Sequence, residues 1–198
     1  MTMSASRIKL SFVLAGLLAA VLSMLAWTQT WVIAHIGVNP VEIDGAAAAP
    51  ALSALALAGL ALGGALTIAG PVFRIVLGVL EVLLGLSVVL ASFTPILDPA
   101  GAAIASVSTL TGVAGDNSVL ALITDATTTL WPWVGVVSGV LFAAAGIGVL
   151  LTSRRWPGPG RKYQAVRMEN ADAPPQSAKD TAIDNWDELS RGSDPTDQ

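Results

Sequence analysis

The sequence predicts an all-α integral membrane protein: a four-span helical bundle with both termini in the cytoplasm, small hairpin or loop elements outside, and a disordered C-terminal tail. Three observations predict it. The chain is 54% hydrophobic and only 12% charged, with a mean hydropathy of +0.69, whereas a soluble domain carries about 25% charged residues. Four apolar segments are each long enough to cross ~30 Å of hydrocarbon at ~1.5 Å per helical residue. The basic residues fall in only three places. Arg7 and Lys9 precede the first apolar run, Arg74 lies between the second and third, and Arg154, Arg155, Arg161, Lys162, Arg167, Lys179 and Arg191 follow the fourth. The connections 27–50 and 94–130 contain no base, so the excess of Lys and Arg on cytoplasmic loops orients them outward.

The spans are expected at 10–32, 51–70, 72–93 and 130–151, giving a transmembrane domain over 1–155 and a polar tail over 156–198. The first apolar run exceeds a signal-peptide core of about 7–15 residues, and no small-x-small cleavage site follows Ser23–Ala26, so it reads as an uncleaved span. Gly70 and Pro71 alone separate spans two and three, which predicts a tight cytoplasmic turn and antiparallel packing. In the first outer connection, Trp31 to Ile36 and Val41 to Gly45 flank Gly37, Val38, Asn39 and Pro40, the pattern of a small hairpin or of a helix extension followed by one strand. The second is semi-apolar, with helix-compatible stretches near 102–110 and 118–126, too short to span. After Arg155 come Pro157, Gly158, Pro159, Gly160, Pro174 and Pro175 in polar sequence, which predicts disorder.

Span three carries the most distinctive polar pattern. Arg74, Gly78, Glu81, Gly85 and Ser92 fall on one helical face, while Leu77, Leu80, Leu83, Leu84 and Leu90 cover the rest. A carboxyl at the depth of Glu81 is costly and must face protein or water. Arg74, Glu81 and Ser92 therefore form a candidate intramembrane polar site. As a functional group Glu81 is a proton or cation site. As a structural one it reaches back toward Arg74, seven residues and ~10 Å of rise away. Small residues also recur at Ala54, Ala58, Ala61 and Ala65 on span two and at Gly135, Gly139, Ala143 and Gly146 on span four, as close helix packing requires.

Trp27, Trp31, Trp131 and Trp133 mark the outer boundary and Trp156 the cytoplasmic one, as indoles in the headgroup layer do. The first four also form a candidate outer aromatic surface around a planar ligand or partner segment. His35, the sole histidine, reads as a surface residue on an outer loop. Near the C-terminus Trp186, Asp187, Leu189 and Asp194 form a short acidic and apolar motif of the kind that docks into a partner groove.

No cysteine is present, which excludes disulfides, thiolate metal sites and a cysteine nucleophile. Nothing resembles a nucleophile elbow, a phosphate-cradling loop or a metal cluster, so no enzyme activity, cofactor or metal is expected. The formal charge of −4 argues nothing about nucleic acid, because acids fill the outer connections and the tail while bases crowd one membrane edge.

The order of these features resembles the tryptophan-associated transmembrane proteins of actinobacteria, a family named for occurrence beside tryptophan-biosynthesis genes. Trp27-Thr28-Gln29-Thr30-Trp31 after span one carries the resemblance, with Gly45 through Pro50 leading into Leu52-Ser53-Ala54-Leu55-Ala56-Leu57-Ala58. So do Trp131-Pro132-Trp133, Arg155-Trp156-Pro157 with Arg161 and Tyr163, and Trp186-Asp187 followed by Gly192 and Asp194-Pro195-Thr196. The resemblance implies an integral membrane protein linked to tryptophan metabolism and supplies no catalytic residue. The expectation is a non-enzymatic plasma-membrane protein acting through partners in the bilayer, a membrane protein or a second copy of itself. The alternative is a small transporter or transporter subunit for tryptophan or a related aromatic compound, with Glu81 coupled to protons.

Overall fold

Helix-forming apolar runs and β-branched connections segregate cleanly in the computed structural model, which describes residues 5–153 and Trp156. The elements are α1 (Ala5–Trp27), β1 (Thr30–Ile36), β2 (Asn39–Asp44), α2 (Gly45–Ala48), α3 (Ala51–Ile68), α4 (Pro71–Leu97), α5 (Pro99–Thr111), α6 (Asp116–Leu120), β3 (Ile123–Thr128) and α7 (Trp131–Thr152). Four of them, α1, α3, α4 and α7, are long and apolar enough to cross a membrane, with mean hydropathies of 2.2, 2.0, 2.5 and 2.4.

Two boundaries differ from expectation. α1 stops at Trp27 rather than continuing to residue 32, because Thr30, Val32 and Ile33 are β-branched and enter a strand. α4 runs to Leu97 rather than ending near residue 93, with Pro95 inside its last turn. The turn between α3 and α4 is as short as expected: Ala69 is extended, Gly70 caps α4 and Pro71 occupies its first turn.

At the end where α1 and α4 finish and α7 begins, the two long connections form one cap. β1 and β2 make an antiparallel hairpin, turned at Gly37 with φ +61, and β3 adds to the other edge of β1 to give the order β2-β1-β3. The stretch 118–126, expected to be helical, is half strand. Only α6 is helical there, and Ile123, Thr124, Thr127 and Thr128 supply the β-branched side chains of β3. Val32, Ala34 and Ile43 on one face of the sheet are buried in a cluster with Ala103 and Val107 of α5 and Val119 of α6. Asp98 joins α4 to this cap, its Oδ1 accepting the Gly101 N–H at 2.8 Å at the start of α5.

The four long helices close into a ring in the order α1, α3, α4, α7, with α4 and α7 in the most extensive contact. On that seam a methyl on Gly85 would lie 2.5 Å from Ala143 N and 2.6 Å from Gly139 O. A methyl on Gly146 would lie 2.8 Å from Gly78 O. The small residues of spans three and four therefore meet backbone to backbone, as their spacing predicts. Span two departs from its expected face. Leu52, Ala56, Gly59, Gly63 and Leu66 are buried, while Ala54, Ala58 and Ala61 are exposed and Ala65 is half-buried. Glycine on this helix admits large side chains from its neighbours, and that requirement outranks the alanine periodicity.

Gly85→Ala is expected to destabilise the bundle by about 1–3 kcal/mol through forced separation of α4 and α7. Gly64→Ala, where nothing lies within 4 Å of the added methyl, is expected to be neutral or slightly stabilising. Unfolding in mixed detergent micelles reads both, and equal effects would refute the packing assignment.

Candidate functional site

The interior of the ring is crossed by two side chains on its diagonals. Phe142 of α7 reaches α3, where its ring occupies the space a side chain on Gly59 would need. Glu81 of α4 reaches α1 in the same way, and a methyl on Gly16 would sit 2.5 Å from Glu81 Oε1. Each long side chain thus requires glycine on the opposite helix. Glu81 is 2% exposed, and its Oε2 has no hydrogen-bond partner among the described residues.

The expected approach of Glu81 to Arg74 does not occur. Side chains on a helix lean toward its N-terminus, which carries Arg74 away from Glu81 to the base of the bundle. There Arg74 Nε donates to Ala69 O at 2.9 Å, Nη1 donates to Trp156 O at 3.5 Å, and the guanidinium lies 5.4 Å from the centroid of the Trp156 ring. Trp156 is 5% exposed in a cluster with Val13, Leu66 and Val149, and its Nε1 donates to Thr152 Oγ1 at 3.0 Å. Its ring packs into the base of the bundle. Lys9 joins the same end, its Nζ donating to Thr67 O in the last turn of α3 at 2.7 Å.

Hydroxyls occupy the half of the bundle nearer the cap. Ser23 of α1 and Ser138 of α7 are fully buried and 2.7 Å apart, and Ser138 Oγ also reaches Gly135 O at 2.7 Å. If Ser138 donates to that carbonyl, Ser23 donates to Ser138. Ser92 of α4 packs against Gly135, and its buried Oγ has no partner among the described residues. Arg74, Glu81 and Ser92 therefore share a face of α4 but not a site: Arg74 belongs to the base, Glu81 to the middle and Ser92 to a serine cluster below the cap.

The four cap-end tryptophans do not form one surface. Trp31 is fully buried beside Gly45, its Nε1 donating to Ala26 O at 2.6 Å. It left the surface because α1 ends before it and β1 turns its indole into the junction between cap and bundle. Trp27 and Trp131 are partly buried against the same core. Trp133 is 46% exposed and meets Phe93 edge to face, with centroids 6.3 Å apart. His35 lies on the outward face of the sheet, where Nδ1 is 3.9 Å from Asp125 Oδ2 on β3. The tail motif of Trp186, Asp187, Leu189 and Asp194 lies outside the described residues.

Gly16, Ser23 and Ser138 escaped the sequence reading. Gly16 and Ser23 are seven apart on α1 and so share a face with Ala19 and Ala20, but the apolar background of that helix gave them no contrast. Trp156→Ala is expected to cost about 3–5 kcal/mol, as truncation of a buried aromatic does, while Trp156→Phe keeps the packing and costs about 1 kcal/mol for the lost indole bond. Detergent unfolding midpoints measure both, and a silent Trp156→Ala would remove the ring from the core.

No curated protein and no solved structure matches the chain. A family model described as tryptophan-associated transmembrane protein matches residues 10–196, a range that takes in α3, α4 and α7, all but the first turn of α1, and both connections of the cap. With that match across nearly its whole length and a multi-pass membrane architecture, the chain belongs to the tryptophan-associated transmembrane protein family.

Proposed function

We propose that this is a non-enzymatic protein of the plasma membrane that acts through partners, with the base of the bundle and both termini in the cytoplasm and the cap outside. The cap carries the reading. Two separate connections are built into one folded unit whose outward sheet face presents Ile33, His35, Glu42, Asp125 and Thr127. Beside it an open groove of about 430 Å³ runs between β2, α2 and α5, lined by Val41, Glu42, Ala47, Ala105, Ser106, Thr109 and Leu110. A folded cap of this kind, built from the two long connections, serves recognition more readily than it serves the passage of a solute. The orientation rests on Arg7, Lys9 and Arg74 at the base, with Arg154 and Arg155 directly following α7 in sequence. The link to tryptophan biosynthesis rests on the family description.

The closed position of Glu81 against Gly16 favours this reading over a transporter, which needs a continuous path wide enough for a solute beside that carboxyl. In proteoliposomes holding the purified chain alone, tryptophan flux is expected to equal that of empty vesicles. Flux above that level that disappears in Glu81→Gln would establish the transporter instead. Aromatic amino-acid flux in a deletion strain, compared with the parent, tests the metabolic link. Complementation by a chain lacking residues 158–198 then asks whether the tail is a contact site, and full complementation would exclude it.

Orientation has its own test. Alkaline phosphatase inserted at Val38, 91% exposed at the hairpin tip, is expected to be active, and the same enzyme fused after Pro157 inactive. The reverse pattern would invert the topology.

A further inference from the structure

Glu81 sits where a structural role alone has no use for a carboxyl. Its diagonal counterpart Phe142 does the equivalent work with an apolar ring seated at Gly59. Glu81 is among the largest fully buried side chains, its Oε1 against Gly16 and its Oε2 without a hydrogen-bond partner among the described residues. The elements around it offer no counter-charge. On α1 the titratable groups are Arg7 and Lys9, nine and seven residues before Gly16, and Lys9 is engaged at Thr67 O. α3 and α7 contain no Asp, Glu, Lys, Arg or His. On α4 itself the other charge is Arg74, directed to Ala69 O and Trp156 at the base.

We propose that Glu81, seated in the Gly16 notch, is a proton-binding site that locks the α1–α4 diagonal: the bundle is sealed with the proton bound and admits water at this seam when the proton leaves. The argument is one of charge and fit. A neutral carboxylic acid buried in apolar surroundings costs far less than an unpaired carboxylate there. Release of the proton to water therefore requires water to reach Oε2, and at Gly16 the facing helix α1 has no side chain over the carboxyl. Above the notch, Ala19 and Ala20 are small and fully buried, and the Ser23–Ser138 pair and Ser92 offer hydroxyls toward the cap. Water entering from that side meets hydrogen-bonding groups. The proposal does not rest on the partner reading: it concerns water reaching Oε2 within the bundle, not a solute path across it.

The absence of cysteine from the chain makes a single engineered thiol a clean probe. Ala20→Cys places it one turn above Gly16, at a fully buried position. Its rate of alkylation is measured from pH 5.5 to 8.5 in the full chain in nanodiscs, in the wild-type background and with Glu81→Gln. The ratio of the two rates at each pH cancels the thiol's own titration. That ratio is expected to rise with pH, by up to about tenfold per unit when one proton is lost on opening. A ratio that stays constant across the range would overturn the proposal. Gly16→Ala, which displaces the carboxyl from its notch, is expected to raise the alkylation rate at every pH, whereas an unchanged rate would show that the notch does not hold the seam.

Discussion

Helices in lipid gain nothing from hiding apolar side chains from one another, because the surrounding chains are equally apolar. Their association depends on how closely their backbones approach, and here that constraint is met chiefly between α4 and α7. Gly85 lies against Gly139 and Ala143, and Gly146 against Gly78, with room for no added carbon. The remaining contacts follow from that seam. Once α4 and α7 are clasped, the ring closes through α1 and α3, and its width is set by the two side chains that cross it. Phe142 and Glu81 are each accepted by a glycine on the helix opposite.

The two ends of the bundle are closed by different means. At the base a cation, a buried indole and carbonyl oxygens are drawn together: Arg74 binds Ala69 O and stacks on Trp156, and Lys9 binds Thr67 O. At the cap, closure is by β-sheet and small helices, with Trp31 as the buried pin where β1 leaves α1. Thr129 fastens the second connection to the first, its N–H donating to Trp31 O and its hydroxyl to Thr30 O. Glu81 and the buried Ser23, Ser92 and Ser138 lie between these two closures.

Spans were legible in the sequence because length and apolarity report them directly, and the Gly70–Pro71 turn because both residues punctuate. The small residues of spans three and four were legible because packing there is backbone on backbone. On α3 the same rule misled: Ala54, Ala58 and Ala61 have the right spacing but face outward, since Gly59 and Gly63 are needed to admit Phe142 and Leu17. Periodicity names a face without naming its partner. Glu81 was visible as an anomaly of charge, yet its receptor was not. Gly16 is one small residue among many on α1, and only the ring order reveals that it stands on the diagonal from α4. Trp31 was misplaced for a related reason, because the end of α1 depends on a strand pairing with residues nearly a hundred positions away.

That long-range pairing has a consequence for how the molecule is made. In the sheet order β2-β1-β3, the central strand is complete on one edge early in the chain and waits on the other for Ile123–Thr128. The glycine face of α4 waits likewise for α7, which begins three residues later at Trp131. A chain emerging from its N-terminus therefore carries two unfinished surfaces at once, from the completion of α4 until β3 and α7 are made. Both are completed within the one stretch 123–152. Quality control needs to inspect only one of them to know the state of the other.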